Sequence, residues 1–251
     1  ELPLGVAPMP LAGGTSPVTP AATILITNTD IMGMIVALFA ARSVSKQEHL
    51  ALTAVMDMQT GTASFSPPNV VQQDAAVVAL YSSFYGIHCD AATDYIDAKF
   101  PGYQSGSERA LKISALLSAG VVYPSVGQLN AGLICSPEQA CLDIEAYDWM
   151  QHYLRGVDVN EKSLCTDLIR GQGIGGHFLD TAHTLDHFRE ELFLPHLADR
   201  NASEVRDMVG SAKEQVDRIL AQNPVFTRDA NVCSEIDRLY DREIRKREGL
   251  N

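Results

Sequence analysis

The strongest constraint on this chain is a unit that repeats along it: a short apolar run, a polar turn, then a longer apolar segment with helical spacing. In the first copy Gly5 to Leu11 runs into Ala12-Gly13-Gly14-Thr15-Ser16-Pro17-Val18-Thr19-Pro20, and a helical pattern extends from about Ala21 to about Arg42. Gly13 and Gly14 permit close approach or positive φ, a hydroxyl among Thr15, Ser16 and Thr19 can cap the helix, and Pro17 or Pro20 suits its first turn. His49 to Met58 then reads as a near-continuous apolar strand of the kind buried on both faces of a parallel sheet. A helix over about Asn69 to Phe84, a strand over Gly86 to Ala91, a helix over Ser107 to Ser118, a strand over Val121 to Val126 and a helix over Pro137 to Leu154 continue the series. Beyond Gly156 the alternation weakens: a helix near Glu161 to Ile169, a glycine-rich turn at Gly171 to Gly176, a short run His177 to Leu179, and helical patterns to the end. Such alternation predicts an α/β fold of parallel βα units, either half of a (β/α)8 barrel or a doubly wound sheet. Four strands alone leave an open edge, so a fragment or a chain completed by a partner is expected. The start at Glu1, with no initiator Met, points the same way.

Composition narrows the partners. A length of 251 residues, 46% hydrophobic and 20% charged, suits one large α/β domain. The net charge of -12 argues against nucleic acid or an anionic membrane surface and is compatible with a cationic ligand. Cys89, Cys135, Cys141, Cys165 and Cys233 show no CxxC spacing, which predicts a reducing, cytoplasmic setting with neither a disulfide framework nor a structural zinc. The most apolar window, Ala21 to Ala41, is interrupted by Thr27, Asn28, Thr29, Asp30 and Gly33, so it is expected to be a buried barrel-type helix and not a membrane span.

In either α/β architecture, functional groups gather at the carboxyl ends of the strands. Those ends carry Thr15 and Ser16, then Asp57 and Gln59, then Asp90, Asp94, Lys99 and Gln104, then Ser125 and Gln128, and finally His177. Tyr85, Tyr95, Phe100, Tyr103, Tyr123 and Phe178 lie nearby. Carboxylates, amides and aromatic faces together suit a cationic amine. The competing reading is that several of these acids are caps or solvated loop charges, since βα turns favour Asp, Ser and Thr on their own account. Three motifs carry less. Gly171-Gln172-Gly173-Ile174-Gly175-Gly176 has the letters of a dinucleotide loop, but no clear strand precedes it. His183 and His187, with Glu190 and Glu191 one turn on, share a helix face and have zinc-ligand spacing, against which stands a capped helix start at Thr181 to Thr184. Ser16 lacks the G-x-S-x-G elbow of a serine hydrolase.

Several ordered blocks resemble the trimethylamine methyltransferase (MttB-type) family: Ala12 to Thr19, Met56-Asp57-Met58-Gln59-Thr60-Gly61, Asp97-Ala98-Lys99 leading to Tyr103-Gln104-Ser105-Gly106 and Glu108, and His183-Thr184-Leu185 with His187-Phe188-Arg189-Glu190-Glu191. The likeness covers most of residues 5 to 200 and is to the C-terminal half of members about twice as long. It implies half of a (β/α)8 TIM barrel over residues 1–200, with a helical extension over 201–251. It also implies transfer of a methyl group from a methylated amine to the cobalt of a corrinoid (cobalamin) on a separate protein, in the cytoplasm, with a homo-oligomer allowed. No resident metal or covalently bound cofactor is expected. The family's trimethylamine enzymes carry pyrrolysine in this half, whereas every residue here is a standard one. That favours the branch acting on quaternary amines such as glycine betaine.

On this reading Asp57 and Gln104 are the catalytic candidates, with Asp57 and Asp94 as acids near the cation. Tyr103 and Tyr123 are walls, Gln59, Gln104 and Gln128 orient the substrate, and Lys99 or His177 receives a substrate carboxylate. The rivals are a non-catalytic or degenerate half-barrel that binds a quaternary amine, and a metal-dependent hydrolase using His183 and His187.

Overall fold

The computed structural model describes residues 4–41, 47–122, 124–200, 207–222 and 229–247. The chain enters through β1 (Leu4–Val6) and β2 (Leu11–Ala12), two pieces of one line interrupted at Pro8 and Pro10, which lack the N–H a ladder needs. α1 (Pro20–Ala41) then crosses to β3 (Gln47–Ala51) and β4 (Ala54–Met56). β1 pairs with β3 and β2 with β4, both in parallel, with Val6 opposite His49 and Leu11 opposite Ala54. β5 (Ala63–Ser64) folds back antiparallel on β4 before α2 (Pro68–Leu80), whose end widens into a π-turn over Tyr81–Tyr85. β6 (Asp90–Ala91) adds parallel to β3 with Leu50 opposite Asp90, and α3 (Tyr103–Ala119) follows. The short antiparallel hairpin β7 (Gln128–Leu129) and β8 (Ile134–Cys135) leads into α4 (Pro137–Leu154). α5 (Glu161–Leu164), α6 (Thr166–Gln172), α7 (Ala182–Glu191), α8 (Met208–Gln222) and α9 (Ala230–Arg247) complete the described elements.

The class is mixed α/β, and the first three βα units run in parallel with neighbours in chain order. Side-chain direction alternates across the sheet. Val6, Ala51 and Ala91 face Ile31 of α1, Val77 and Val78 of α2, and Ile113 and Leu116 of α3, forming the main core. The opposite parity brings Leu11, Leu52, Ala54, Phe65, Ala92 and Tyr95 into a second cluster. α1 buries Thr23, Thr27 and Ile31 while Leu25, Val36 and Phe39 remain exposed. By length and composition alone it could cross a membrane. Here it links two hydrogen-bonded parallel strands, a role in which the helix must run back along the sheet. By internal contacts the chain divides into two compact units, residues 1–213 and 214–251.

Several expected boundaries moved. The single strand over His49 to Met58 is split into β3 and β4, because the Thr53 N–H donates to Asp74 Oδ1 of α2 (2.8 Å) and not to the ladder. The fourth strand, Val121 to Val126, is not formed by the described residues there. Side chains take the ladder's place: Val122 N–H donates to Asp90 Oδ1 (3.0 Å) and Thr93 Oγ1 donates to the Ser125 carbonyl (2.9 Å). α3 begins at Tyr103 instead of Ser107, since Ser105 Oγ accepts the Gly102 N–H (2.9 Å) and closes the helix start. The helix expected over Glu161 to Ile169 is broken at Cys165, and His177 to Leu179 forms no strand.

Candidate functional site

α3 carries two cations on its inward side. Arg109 and Lys112, three residues apart, fall on the stripe that also holds Ile113 and Leu116, and neither is more than 1% exposed. Lys112 Nζ donates to the carbonyls of Ala92 (3.2 Å) and Tyr95 (2.7 Å). The Arg109 guanidinium donates to the carbonyls of Thr93, Asp94 (3.2 Å) and Gln128 (3.1 Å). Backbone oxygens released where β6 ends therefore find charged partners from the helix below, which satisfies groups that would otherwise be buried unpaired.

Counter-charges come from the flanking helices. Asp143 of α4 pairs with Arg109 Nε through Oδ1 at 2.8 Å, and Asp74 of α2 attracts Lys112. Burial is the larger influence on both pairs. It pushes the Asp74 carboxyl up to about 6 and the Lys112 ammonium down to about 8, against their mutual attraction. Arg109 is likewise lowered and Asp143 raised, desolvation first, opposed by their attraction for each other. The sequence reading missed these four residues. Their signal was present in α3 as two cations on an otherwise apolar stripe.

Two further acids tie the loops above this layer. The Asp97 carboxylate accepts from Ser64 Oγ (2.5 Å), Phe65 N–H (2.8 Å) and Ser66 N–H (3.2 Å). Glu108 accepts from Ser66 Oγ (2.7 Å), the N–H groups of Asp97 (2.9 Å) and Ala98 (3.0 Å), and the Gln104 amide (2.6 Å). The end of β5 and the residues after it are thereby fastened to the loop after β6 and to α3.

Of the expected site residues, the structure gathers Asp94 and Gln128, whose carbonyls share Arg109. The Asp94 carboxylate is 3% exposed at the residue level and accepts from Ser125 Oγ at 2.5 Å. Tyr95 follows it, with its ring 5.2 Å from that of Phe65. At Gly132, where φ is +82°, a Cβ would stand 2.8 Å from Tyr95 Cε1 and 2.9 Å from Gln128 Oε1, so the hairpin turn passes directly against both side chains. Gln128 and the rings of Tyr95 and Phe65 thus lie together beside the carboxyl end of β6, while the buried Asp94 carboxylate, next in the chain to Tyr95, is held by Ser125 and attracts Arg109 and Lys112.

The remaining expected residues lie elsewhere. Asp57 is exposed and closes its own turn, accepting from the N–H groups of Gln59 (2.8 Å) and Thr60 (3.3 Å), and these bonds hold its carboxyl below the usual range. Gln59 is exposed in that turn. Lys99 is exposed, Tyr103 is 92% exposed, and Gln104 sits on the first turn of α3 with its amide on Glu108. His177 is exposed after α6, 3.4 Å from Asp180. Tyr123 lies outside the described residues. In the first turn, Thr15 Oγ1 accepts the Leu11 N–H (2.8 Å) and Ser16 Oγ meets Thr23 Oγ1 (3.0 Å), so both hydroxyls shape the loop.

The glycine motif begins in the last turn of α6 and follows no strand, which removes the context a dinucleotide loop needs. His183 and His187 stack on α7 with ring centroids 4.7 Å apart, yet among the described residues no three His, Cys, Asp or Glu side chains converge as a metal site. A cavity of about 380 Å³ between α3 and α4, lined by Arg109, Asp143, Leu142 and Trp149 among others, belongs to the helix layer and not to the strand ends.

Parallel βα units with polar groups collected beyond the strand ends define an α/β protein whose chemistry belongs at those ends. The chain matches the family model for trimethylamine methyltransferase (MTTB) over residues 2–237, and it belongs to that family. It is 28% identical to trimethylamine methyltransferase MttB of Methanosarcina barkeri (strain Fusaro), over 99% of this chain and 51% of that protein. It is 29% identical to MttB1 of Methanosarcina acetivorans over 99% of this chain and 51% of that protein. Against the glycine betaine methyltransferase of Desulfitobacterium hafniense (strain Y51) the identity is 28%, over 78% of this chain and 41% of that protein. The chain spans about half the length of the trimethylamine relatives it matches.

Proposed function

We propose that this chain forms the C-terminal half of a methyltransferase (β/α)8 barrel that moves a methyl group from a quaternary or tertiary methylamine to the cobalt of a corrinoid on a partner protein in the cytoplasm. The family match over residues 2–237 carries this reading, and relatives named for trimethylamine and for glycine betaine support the substrate class. When a quaternary ammonium loses a methyl group, it departs as a neutral amine, so the donor already contains a good leaving group. Reduced cobalt can then accept the methyl carbon without proton transfer. What the protein supplies is orientation of the cation and exclusion of water.

Asp94 is the acid assigned to the cation, the rings of Tyr95 and Phe65 are its apolar walls, and Gln128 orients it. Asp57 and Gln104, with Gln59, Lys99 and Tyr103, stand exposed on segments that follow β4 and β6, where the rest of a barrel or the corrinoid protein would cover them. His177 is the more remote candidate for a substrate carboxylate, and Tyr123 a further wall.

The test is to incubate the purified protein with glycine betaine or trimethylamine and reduced corrinoid protein, following demethylated amine by mass spectrometry and the corrinoid absorbance. Demethylated product is expected, and Asp94→Ala should lose it while retaining its circular dichroism. Calorimetric binding of the amine without product would favour the non-catalytic amine-binding reading.

A further inference from the structure

Cys165 stands at the break between α5 and α6 in a left-handed conformation, φ 48° and ψ 37°, which few non-glycine residues adopt. Its Sγ lies 2.9 Å from His183 Nε2 on α7 and 2.8 Å from the Lys162 carbonyl oxygen. The His183 ring in turn lies against that of His187, with centroids 4.7 Å apart, so the imidazole facing the sulfur is held on its other side. Cys165 is half-buried and His183 exposed, which leaves the pair open to small molecules. The five cysteines provide internal comparison: Cys89 is buried with its thiol on the Asp90 carbonyl, and Cys135 is exposed.

We propose that Cys165 and His183 form a nucleophilic thiol site, separate from the strand-end loops, that reacts with small electrophiles and in particular with hydroperoxides. His183 Nε2, 2.9 Å away, accepts the thiol proton as the sulfur attacks. With hydrogen peroxide the sulfur attacks one oxygen, an S–O bond forms and the O–O bond breaks. Sulfur is oxidised by two electrons to the sulfenic acid, and the departing oxygen takes the imidazolium proton and leaves as water. The backbone break at Cys165 and the histidine stack serve to fix the sulfur and imidazole in reach of each other.

The experiment uses the whole purified chain. It is treated at neutral pH with limiting iodoacetamide, and separately with hydrogen peroxide in the presence of dimedone, and each cysteine peptide is quantified by mass spectrometry. Cys165 is expected to alkylate at least about tenfold faster than Cys135, although Cys135 is the more exposed, and to carry the dimedone label. His183→Gln should bring the Cys165 rate down to that of Cys135 with unchanged circular dichroism. Equal rates at the two cysteines, or a Cys165 rate that His183→Gln leaves unaltered in a folded variant, would overturn the proposal.

Discussion

Removing the Arg109 side chain would strand the Asp143 carboxylate in the interior and release the carbonyls of Thr93, Asp94 and Gln128 at once. Breaking a buried pair from one side costs more than the pair itself is worth, because the surviving charge is left without compensation. Arg109→Ala is therefore expected to lose about 3–5 kcal/mol in urea unfolding. The double variant Arg109→Met with Asp143→Leu should recover part of that loss, the unmet carbonyls accounting for the rest. At this scale the sequence was ambiguous for a physical reason. Asp57 and Asp94 are both carboxylates at strand ends, yet one closes a solvent-facing turn and the other is buried against Ser125. The side chain that caps a turn is the same chemical group that would hold a cation, and only its surroundings separate the two.

Elements position these residues through their ends. α4 starts at Ser136, whose Oγ accepts the Gln139 N–H (3.1 Å), with Pro137 in the first turn. The same helix holds Asp143, which accepts the Gly127 N–H at 2.7 Å and so anchors the loop leading to Gln128. Ser136→Ala should cost about 1 kcal/mol, read as a lowered thermal midpoint. The helices were legible because their apolar spacing is local. The strands were less so: a ladder needs a partner, and the Thr53 N–H spent on Asp74 and the Asp90 carboxylate facing Val122 interrupt pairings that the apolar pattern alone predicts to be continuous. β5 and the hairpin β7–β8 are two residues per strand, too short to register as any periodicity.

Across the whole molecule, the charged layer beneath the strand ends should appear in the dependence of stability on pH. The Asp74 carboxyl is raised from 3.8 to about 6 by burial, so the native state binds more protons than the unfolded chain across that window, and its contribution to stability falls as pH rises through it. Lys112 is lowered from 10.5 to about 8, so the native state binds fewer protons there, and its contribution rises as pH climbs from about 8 to 10.5. Between about 6 and about 8 both groups are charged and this source of pH dependence is flat. The stability difference between the wild type and Asp74→Asn, measured by urea unfolding, is expected to fall between pH 3.8 and about 6.

The sequence by itself determined the alternation of parallel strands with helices in the first three units, the α/β class and the family, because each rests on local periodicity or on ordered blocks of residues. Tertiary structure alone decided which polar groups work together. Asp74 reaches Thr53, Asp143 reaches Arg109, and Arg109 reaches the carbonyls beside Asp94 and Gln128 across separate elements. Those bonds owe their strength and their shifted protonation to burial from water, a property of the packed chain that no stretch of sequence contains.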